Sequence, residues 1–359
     1  MKFKISVLLL SLFVICGLVP GAVSKSGTNG KIKWLLKPQF DYAGNFSEGM
    51  AVVRINNGKL RKYGFINRDG KVVIKPEYDY VWGFSEGLAR IRIGDDKTGK
   101  WGCVNKSGEV VIKPEFENIF AFQEGLAAVR INRRWGFINK NGDIVIKPEY
   151  GYTWGFQEGL APIQSKKGWW GFIDKDGDYV VDPEYLSAKC FSGGLAPVWS
   201  RKDGNNICGF INKDGDCVIE PKHYSAGEFI DGMSRIESKN RFGYMNKDGK
   251  IIVEPLYRYA GEFSEGLAAV GNGDGRSGYI NREGIVVITL QSNDVRKFSE
   301  GLAVFRQNGK FGYLNARGEV VIKPQFYIAS DFSEGVAAVC IGGESNGKWG
   351  YILSPLNEE

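Results

Sequence analysis

The sequence predicts an all-β protein made of nine copies of one antiparallel β-meander. An aromatic residue or its substitute precedes glycine in nine segments, and a second glycine series also recurs nine times. From Gly64 to Gly102 is 38 residues, and from Gly102 to Gly136 is 34. The composition agrees, because 13% aromatic residues and 49 glycines against 12 prolines favour strands joined by tight turns.

Spacing within each copy separates a constant frame from one variable loop. From Gly64 to Gly87, through a turn glycine, a proline and Phe84, the chain runs for 23 residues, and this interval recurs in every complete copy. From the second glycine to the next aromatic-glycine pair the interval varies between 11 and 15 residues. Exposed turns tolerate insertions and packed strands do not. The 23-residue frame therefore predicts the packed part of each copy.

Four strands are expected in each copy. In the third, strand A covers residues 126–131, strand B 135–139, strand C 143–147 and strand D 150–156. Alternating apolar residues in strand A and aromatic residues at every second position in strand D match the period of a strand. Gly142 suits the left-handed position of the B–C turn, and Asn308-Gly309 suits an A–B hairpin turn. Pro148 is expected to end strand C, because it lacks an amide donor.

One meander cannot bury both of its faces, so the copies must stack on one another. Residues 30–353 form one repeat domain of eight whole copies and one copy split between the two ends. The chain begins with strands C and D and ends with strands A and B, which favours a closed β-propeller-like ring. Nine blades exceed the usual four to eight, and an open β-solenoid array is the alternative.

Residues 1–24 are typical of a signal peptide. Lys2 and Lys4 precede an apolar run, and small residues occupy positions 22 and 24, so we expect cleavage near Ser24 and a secreted or cell-surface protein. Retention as a membrane anchor is the alternative. Without Lys2 and Lys4, 45 basic residues face 41 acidic ones, and their interspersion predicts no nucleic-acid partner. No other segment is long and apolar enough to span a membrane.

The repeated strings resemble the WG-containing repeat family of bacterial proteins. The resemblance rests on Trp135-Gly136-Phe137-Ile138-Asn139-Lys140-Asn141-Gly142, on Ile144-Val145-Ile146-Lys147-Pro148-Glu149-Tyr150 and on Phe156-Gln157-Glu158-Gly159-Leu160-Ala161. It implies an exported or surface-associated β-repeat protein with no general catalytic activity. The structural repeat positions include Trp101, Gly102, Trp135, Gly136, Trp170, Gly171, Trp349, Gly350, Glu86, Gly87, Glu124, Gly125, Glu158, Gly159, Glu300 and Gly301. The chain departs from the pattern at Cys208, Ser277, Gly193, Asp231, Thr289 and Leu290.

Both repeated motifs have structural explanations. The aromatic ring is expected to cover the neighbouring sheet, and its glycine to let the next layer approach. A ring of stacking platforms for sugars is the alternative. The repeated glutamate is expected in a turn or capping role. Paired carboxylates can hydrolyse glycosides, but catalytic sites are asymmetric and this pattern is symmetric.

The sequence predicts no catalytic residue, metal site or cofactor. His223 is the single histidine, and one histidine cannot build a multi-histidine metal site. No P-loop, GxSxG or HExxH motif is present. The five cysteines beyond the signal segment are expected to be mostly buried thiols, with a Cys208–Cys217 disulfide as the alternative.

The predicted function is binding. A repeat scaffold would present its variable A–B loops to an unknown protein or cell-envelope glycan, and these loops are longest at residues 56–62, 94–100, 201–207 and 342–348. The ligand-binding residues are not identified by the sequence. An extracellular polysaccharide or peptide hydrolase that uses acidic rim residues is one alternative. A purely structural envelope protein is another.

Overall fold

The computed structural model describes residues 32–56, 61–223 and 225–356. Within them, 36 strands form nine four-stranded antiparallel sheets in a closed ring, a nine-bladed β-propeller. The predicted signal segment lies outside the described residues, as do residues 57–60 and the side chain of His223. No helix among the described residues is long and apolar enough to cross a membrane.

We number the sheets one to nine in chain order. Sheets one to three contain β2 (Tyr42–Ser47), β3 (Met50–Asn56), β4 (Arg61–Asn67), β5 (Val72–Tyr78); β6 (Tyr80–Ser85), β7 (Leu88–Ile93), β8 (Lys100–Asn105), β9 (Val110–Phe116); and β10 (Asn118–Ile119), β11 (Ala127–Ile131), β12 (Arg134–Ile138), β13 (Ile144–Tyr150). Sheets four to six contain β14 (Tyr152–Thr153), β15 (Ala161–Gln164), β16 (Trp170–Ile173), β17 (Tyr179–Tyr185); β18 (Ser187–Ala188), β19 (Ala196–Lys202), β20 (Asn205–Ile211), β21 (Cys217–His223); and β22 (Ser225–Ile230), β23 (Met233–Ser238), β24 (Arg241–Asn246), β25 (Ile251–Tyr257). Sheets seven to nine contain β26 (Tyr259–Ala260), β27 (Leu267–Gly271), β28 (Ser277–Asn281), β29 (Val286–Leu290); β30 (Val295–Ser299), β31 (Leu302–Gln307), β32 (Lys310–Asn315), β33 (Val320–Phe326); and β34 (Ile328–Ala329), β35 (Val336–Ile341), β36 (Lys348–Leu353) with β1 (Trp34–Phe40).

Strand D lies nearest the axis of the ring. The D strand β2 contacts the D strand β6 of the next sheet and β35 of sheet nine, so contacts between sheets concentrate at this edge. Each sheet therefore runs D, A, B, C from the axis outward. The sequence placed strand D in the same sheet as the strands before it, which is wrong, since it begins the following sheet. In consequence, the first described part of the chain gives sheet nine one strand, β1, instead of two.

Sheet nine closes against sheet one through side chains. The Ser333 hydroxyl donates to the Phe46 carbonyl at 2.9 Å, and the Tyr351 hydroxyl donates to the Gly44 carbonyl at 2.8 Å. The Gly49 N–H donates to the Glu334 carboxylate at 3.0 Å. The predicted ring is confirmed, and the open array is excluded.

Core clusters form where successive sheets pack together. Phe65 in strand B of sheet one meets Phe84 in strand D of sheet two, with ring centroids 5.0 Å apart at 63°. Offset or edge-to-face contact of this kind stabilises aromatic pairs beyond their buried area. The same contact recurs at Phe137–Phe156, Phe172–Phe191, Phe210–Phe229, Tyr244–Phe263, Tyr279–Phe298, Tyr313–Phe332 and Tyr351–Phe46. Buried Cys103 takes the strand-B position in sheet two.

The glycine of the aromatic-glycine pair faces its own sheet. A Cβ atom on Gly136 would meet the Ile146 carbonyl oxygen and would lie 2.6 Å from the Pro148 nitrogen, both in strand C. The expectation that this glycine admits the next layer is therefore wrong. Pro148 also does not end strand C, because the strand shifts register around it and pairs again at Tyr150. In sheet seven, Leu290 replaces the proline. There Gly278 pairs with Thr289 and the register shift at this position is absent.

The aromatic partner of this glycine covers the neighbouring sheet, as expected. Trp135 and Trp170 are buried, and Trp101 and Trp349 are half-buried. The Trp135 ring packs against Tyr152 in strand D of the next sheet at 5.5 Å. These tryptophans are parts of the packing between sheets and do not form a ring of open stacking platforms.

Replacing Gly136 by alanine tests this packing against a matched glycine. We expect Gly136→Ala to lower the free energy of unfolding by at least about 3 kcal/mol, because the new Cβ meets backbone atoms. Gly159 has open space around its Cβ position and a φ of 89°, so Gly159→Ala should cost only about 1 kcal/mol, from left-handed strain. Urea unfolding of both variants measures the difference. Equal losses would contradict the packing role of Gly136.

Candidate functional site

The repeated acidic residue occupies a strained turn between strands D and A. Glu86 has a φ of 52° and Gly87 a φ of 87°, which is the left-handed pair required by a two-residue hairpin turn. Left-handed backbone is uncommon for glutamate. The same position is left-handed at Glu48, Glu124, Glu158, Gly193, Asp231, Glu265, Glu300 and Glu334.

Each of these carboxylates accepts a hydrogen bond from the next sheet. The Gly125 N–H in the D–A turn of sheet three donates to Glu86 at 3.0 Å, and the Gly87 N–H donates to Glu48 at 2.9 Å. Equivalent bonds join Glu124 to Gly159, Glu158 to Gly193 and Gly194, Asp231 to Gly266, Glu265 to Gly301, Glu300 to Gly335 and Glu334 to Gly49. We call this set of links the carboxylate belt.

A cation from the B–C turn of the next sheet completes most links. Lys140 approaches Glu86 to 3.1 Å, and Lys106 approaches Glu48 to 3.2 Å. Partial burial pushes the pKa of Glu86 upward, but hydrogen bonds from Lys140 and Gly125 outweigh it, so this pKa lies below its ordinary value. The belt carboxylates are therefore engaged in holding sheets together.

Hydroxyl groups add a second set of links. Ser85, beside Glu86, donates to the Phe122 carbonyl of sheet three at 2.8 Å. Where a tyrosine directly follows the strand-B glycine, its hydroxyl donates to the next sheet, as from Tyr313 to the Ser330 carbonyl at 2.8 Å. The Phe-Ser-Glu-Gly motif thus supplies a ring contact to the preceding sheet, and a hydroxyl donor and a carboxylate acceptor to the following one.

The belt lacks a carboxylate at one described junction, between sheets five and six. Gly193 stands where the other sheets carry an acid, and its carbonyl accepts a bond from Lys247 at 2.6 Å. The B–C turn of sheet six still supplies a lysine, but its ammonium group donates to a backbone oxygen and not to a carboxylate. The junction therefore retains a polar link without a charge pair.

The A–B turns lie on the opposite face of the ring, because strands alternate in direction. Two described long loops are closed by their own bonds: Asp95 accepts from the Thr98 N–H at 2.7 Å, and Asn346 from the Gly343 N–H at 2.9 Å. The loop at 201–207 extends strands β19 and β20 around Asp203 and Gly204. Loop length alone therefore creates no open site in these described loops.

Cavities on this face lie beside short loops. One of 440 Å³, beside the A–B loop of sheet four, is lined by Trp169, Tyr179 and the ion pair of Lys166 with Glu149 at 3.2 Å. Another of 620 Å³ between sheets seven and eight is lined by polar groups, including Asn293 and Asn308. It adjoins the strand in which Thr289 and Leu290 replace the usual lysine and proline.

The inner strands place different side chains on the two sides of the ring. Sheets two to four carry an aromatic residue two positions before the phenylalanine of the 23-residue frame, at Trp82, Phe120 and Trp154. Trp82 is 46% exposed and Trp154 is 47% exposed. Sheets six to nine instead carry a charge one position before that phenylalanine, at Glu228, Glu262, Lys297 and Asp331. Sheets two to four and sheets six to nine therefore differ in the chemistry of this segment, which is aromatic in the first set and charged in the second.

Glu228 has the electrostatics of a group shielded from water. Burial raises its pKa, nearby Lys189 lowers it and Glu262 raises it, while the Cys190 N–H donates to its carboxylate. Burial likewise raises the pKa of Asp331 against the effect of Arg296. No three His, Cys, Asp or Glu side chains of the described residues are grouped to hold a metal ion.

The cysteines in the described part of the chain are free thiols, buried except for exposed Cys217. Burial raises the pKa of Cys103 and of Cys190 to about 12, so both thiols are protonated and unreactive at neutral pH. His223 lies in strand β21 by its backbone. The sequence did not identify Trp82 and Trp154 as exposed groups, although tryptophan in place of smaller residues within a constant frame was an available signal.

A closed ring of nine repeated sheets, joined by the belt, defines a repeat-built β-propeller. The chain belongs to the WG containing repeat family, whose model matches residues 29–59, 63–97, 101–134, 135–169, 170–198, 209–241, 242–275, 278–311 and 311–349. A comparison with curated protein sequences finds no match.

Among solved structures, the chain is similar to a eukaryotic initiation factor. The identity is 11% and the TM-score 0.55, over 87% of this chain and 90% of that one. It is also similar to the computationally designed protein Ika8, at 13% identity and TM-score 0.48 over 79% of this chain and 99% of that one. BamB from Moraxella catarrhalis gives 12% identity and TM-score 0.43 over 79% and 98%. The likeness to the initiation factor concerns the fold alone.

Removing one belt carboxylate tests its role as a link. Glu86→Ala should lower the free energy of unfolding by about 1 to 2 kcal/mol, because the Gly125 N–H and Lys140 both lose their acceptor. Glu115→Ala, at an exposed position of strand C, is the control and should change it by less than about 0.5 kcal/mol. Urea unfolding compares them. Losses of the same size would contradict a linking role for the belt.

Glu228 should give stability a distinctive pH dependence. A raised pKa means that the folded protein holds the proton more tightly, so this contribution is present below the ordinary glutamate pKa and is lost as pH rises through the folded value. Glu228→Gln should therefore gain stability over wild type as pH rises from about 4 to about 8, by less than about 1 kcal/mol because solvent screens a half-buried group. Exposed Glu254→Gln is the control. Urea unfolding at each pH measures the free energy of unfolding. The same pH dependence in wild type and both variants would contradict the assignment.

Proposed function

We propose that this protein is an extracellular, non-catalytic scaffold that binds cell-envelope ligands, with glycan as the first candidate and protein as the second. The observation that carries the proposal is a contrast between side chains that pack inside the protein and side chains that stay exposed. The repeated acids and aromatic-glycine pairs are engaged in packing and belt contacts. Trp82 and Trp154, in contrast, expose nearly half of their surface on the inner strands.

Exposed aromatic rings on a rigid frame suit ligands that offer flat apolar faces. Aromatic residues are enriched in binding sites, where they supply contact area at little cost in side-chain entropy. The ring of sheets holds these residues at fixed separations, so several weak contacts can add through effective concentration. A bacterial envelope polymer, with repeated sugar units, offers such a ligand.

The extracellular assignment rests on residues 1–24. Their two lysines, short apolar run and small residues near Ser24 are typical of an export signal. Free thiols are compatible with this location here, because four of the five described cysteines are buried and the thiols of Cys103, Cys190 and Cys208 stay protonated at neutral pH.

A hydrolase is the second candidate, and Glu228 is the observation that favours it. A carboxyl group with a raised pKa beside a second acid, Glu262, is a pattern of general acid catalysis. Against this, the pair lies on the side of the ring that lacks exposed tryptophan. A scaffold role therefore explains more of the inner surface.

Retention on envelope material tests the proposal. The chain from residue 25 should be retained by intact bacterial cells and isolated walls, and the double variant Trp82→Ala with Trp154→Ala should be released at least tenfold more readily at a temperature where it is fully folded. Glu115→Ala, at an exposed position of strand C, is the control. Wild-type protein that is recovered entirely in the wash would contradict the proposal.

The same preparations decide between binding and hydrolysis. We expect wild type to release no soluble sugar or peptide products from envelope polymers over an extended incubation. Turnover that Glu228→Gln abolishes would establish the hydrolase instead.

A further inference from the structure

A cavity of 340 Å³ lies between the inner strands of sheets one and two. Sheet one contributes Tyr42, Asn45 and Tyr63, and sheet two contributes Tyr80, Trp82 and Gly83. This volume is at the lower end of the roughly 300 to 1,000 Å³ typical of ligand sites. It suits a ligand of about one sugar ring.

We propose that this cavity is a binding subsite for one pyranose ring that carries no positive charge, stacked on Trp82. The inference rests on the proposed function and names the ligand class and the residues that would bind it.

The indole of Trp82 is held in place by its neighbours, and a cation covers one of its faces. The Arg90 guanidinium lies over the indole, 5.0 Å from the ring centroid, and donates to the Ile119 carbonyl of sheet three at 3.2 Å. Arg90 therefore lies toward sheet three, whereas the cavity lies toward sheet one. The Tyr80 ring meets the indole edge-on at 5.6 Å. These contacts hold the indole in place before a ligand arrives, which lowers the cost of ordering it on binding.

The cavity exists because small residues line it on both sides. A Cβ on Gly83 would lie 3.7 Å from the Ser47 Cβ, an ordinary contact distance, so these two small residues leave the rest of the junction unfilled. The corresponding junction between sheets three and four is filled. There a Cβ on Gly155 would lie 3.3 Å from the Gln123 side-chain oxygen, because Gln123 takes the place of Ser47. Trp154 is thus an equally exposed tryptophan beside a filled space.

Neutral hydrogen-bonding groups complement the indole. Tyr42 and Asn45 are exposed at the cavity. Burial raises the pKa of the Tyr42 hydroxyl, with nearby Tyr80 adding to the effect, so this hydroxyl remains a donor at neutral pH. A phenol and an amide can each donate and accept, as sugar hydroxyls do. No Asp or Glu belongs to the lining, so the subsite holds a sugar without acid catalysis of its own.

Charge around the aromatic cluster selects against cationic ligands. Arg54 lies over the Tyr63 ring at 5.7 Å, and Arg92 lies over the Tyr80 ring at 5.4 Å. Arg92 is itself paired with Asp96, which leaves Arg54 and Arg90 as the cations against cavity aromatics. An ammonium ligand would be repelled by them, which disfavours the cation-binding aromatic cage that four rings would otherwise suggest. Neutral and acidic pyranosides remain.

Titration with methyl pyranosides by calorimetry or ligand-observed NMR tests the subsite on the chain from residue 25. We expect dissociation constants on the order of 1 mM for neutral, N-acetylated or uronic pyranosides, since single sugars bury little area. The methyl glucosaminide, which is positively charged, should bind at least fivefold more weakly than its N-acetylated counterpart. Free indole and p-cresol, as mimics of aromatic side chains, should not compete.

Three variants locate the site. Trp82→Ala should weaken pyranoside binding at least tenfold, whereas the matched Trp154→Ala should change it less than twofold. Ser47→Gln reproduces the native filling by Gln123, leaves Trp82 intact and should also abolish binding. Equal losses in the two tryptophan variants, full binding by Ser47→Gln, or competition by p-cresol would overturn the assignment.

The outcomes separate this inference from the proposed function. Wild type that binds no pyranoside but is still retained on walls overturns the subsite and leaves the scaffold role standing. Wild type that binds pyranosides at Trp82 without retention on any envelope fraction supports the subsite and overturns the scaffold role.

Discussion

The hydrogen bond from a glycine N–H of one sheet to a carboxylate of the preceding sheet is the constraint that recurs at every described junction of the ring except that between sheets five and six. Sheets in a propeller share only their faces and inner edges, so something must fix the angle between neighbours. A left-handed glutamate places its carboxylate where Gly125 or its counterpart can reach it, and lysine from the B–C turn neutralises the charge. The local strain of the turn is offset by a contact with the next sheet.

Much of the architecture could be predicted because the frame is periodic. Constant spacing from the aromatic-glycine pair to the D–A turn marked the packed residues of strands B, C and D, and complementary ends indicated a ring. Strand A packs as well, with Ala89 and Ile91 fully buried, although it lies in the interval of variable length. The assignment of strand D failed for a physical reason. A hairpin and a sheet-to-sheet crossing have similar sequences, so Tyr152 and Trp154 read equally well as the end of one sheet or the start of another. The prediction that Pro148 ends strand C failed as well, because a β-bulge accommodates a residue without an amide donor and the strand continues beyond it.

The candidate site was harder to predict because it depends on differences between copies. The features that stand out in the sequence are the acids that recur and the loops that change length, and neither forms this site. The cavity beside Trp82 arises from a combination at one junction: a tryptophan, a glycine beside it and serine instead of glutamine across from it. No single one of these residues is unusual alone. Their conjunction becomes visible only when neighbouring sheets are placed side by side.

The composition of sheet nine has a consequence for how the molecule is made. Its outer strand, Trp34–Phe40, pairs with Lys348–Leu353, and the strands of the eight other sheets lie between these two segments in the chain. The outer edge of β36 therefore stays uncovered until β1 pairs with it. Closure of the ring therefore depends on contacts of large sequence separation, the kind that must overcome the greatest loop-closure entropy before they stabilise the fold.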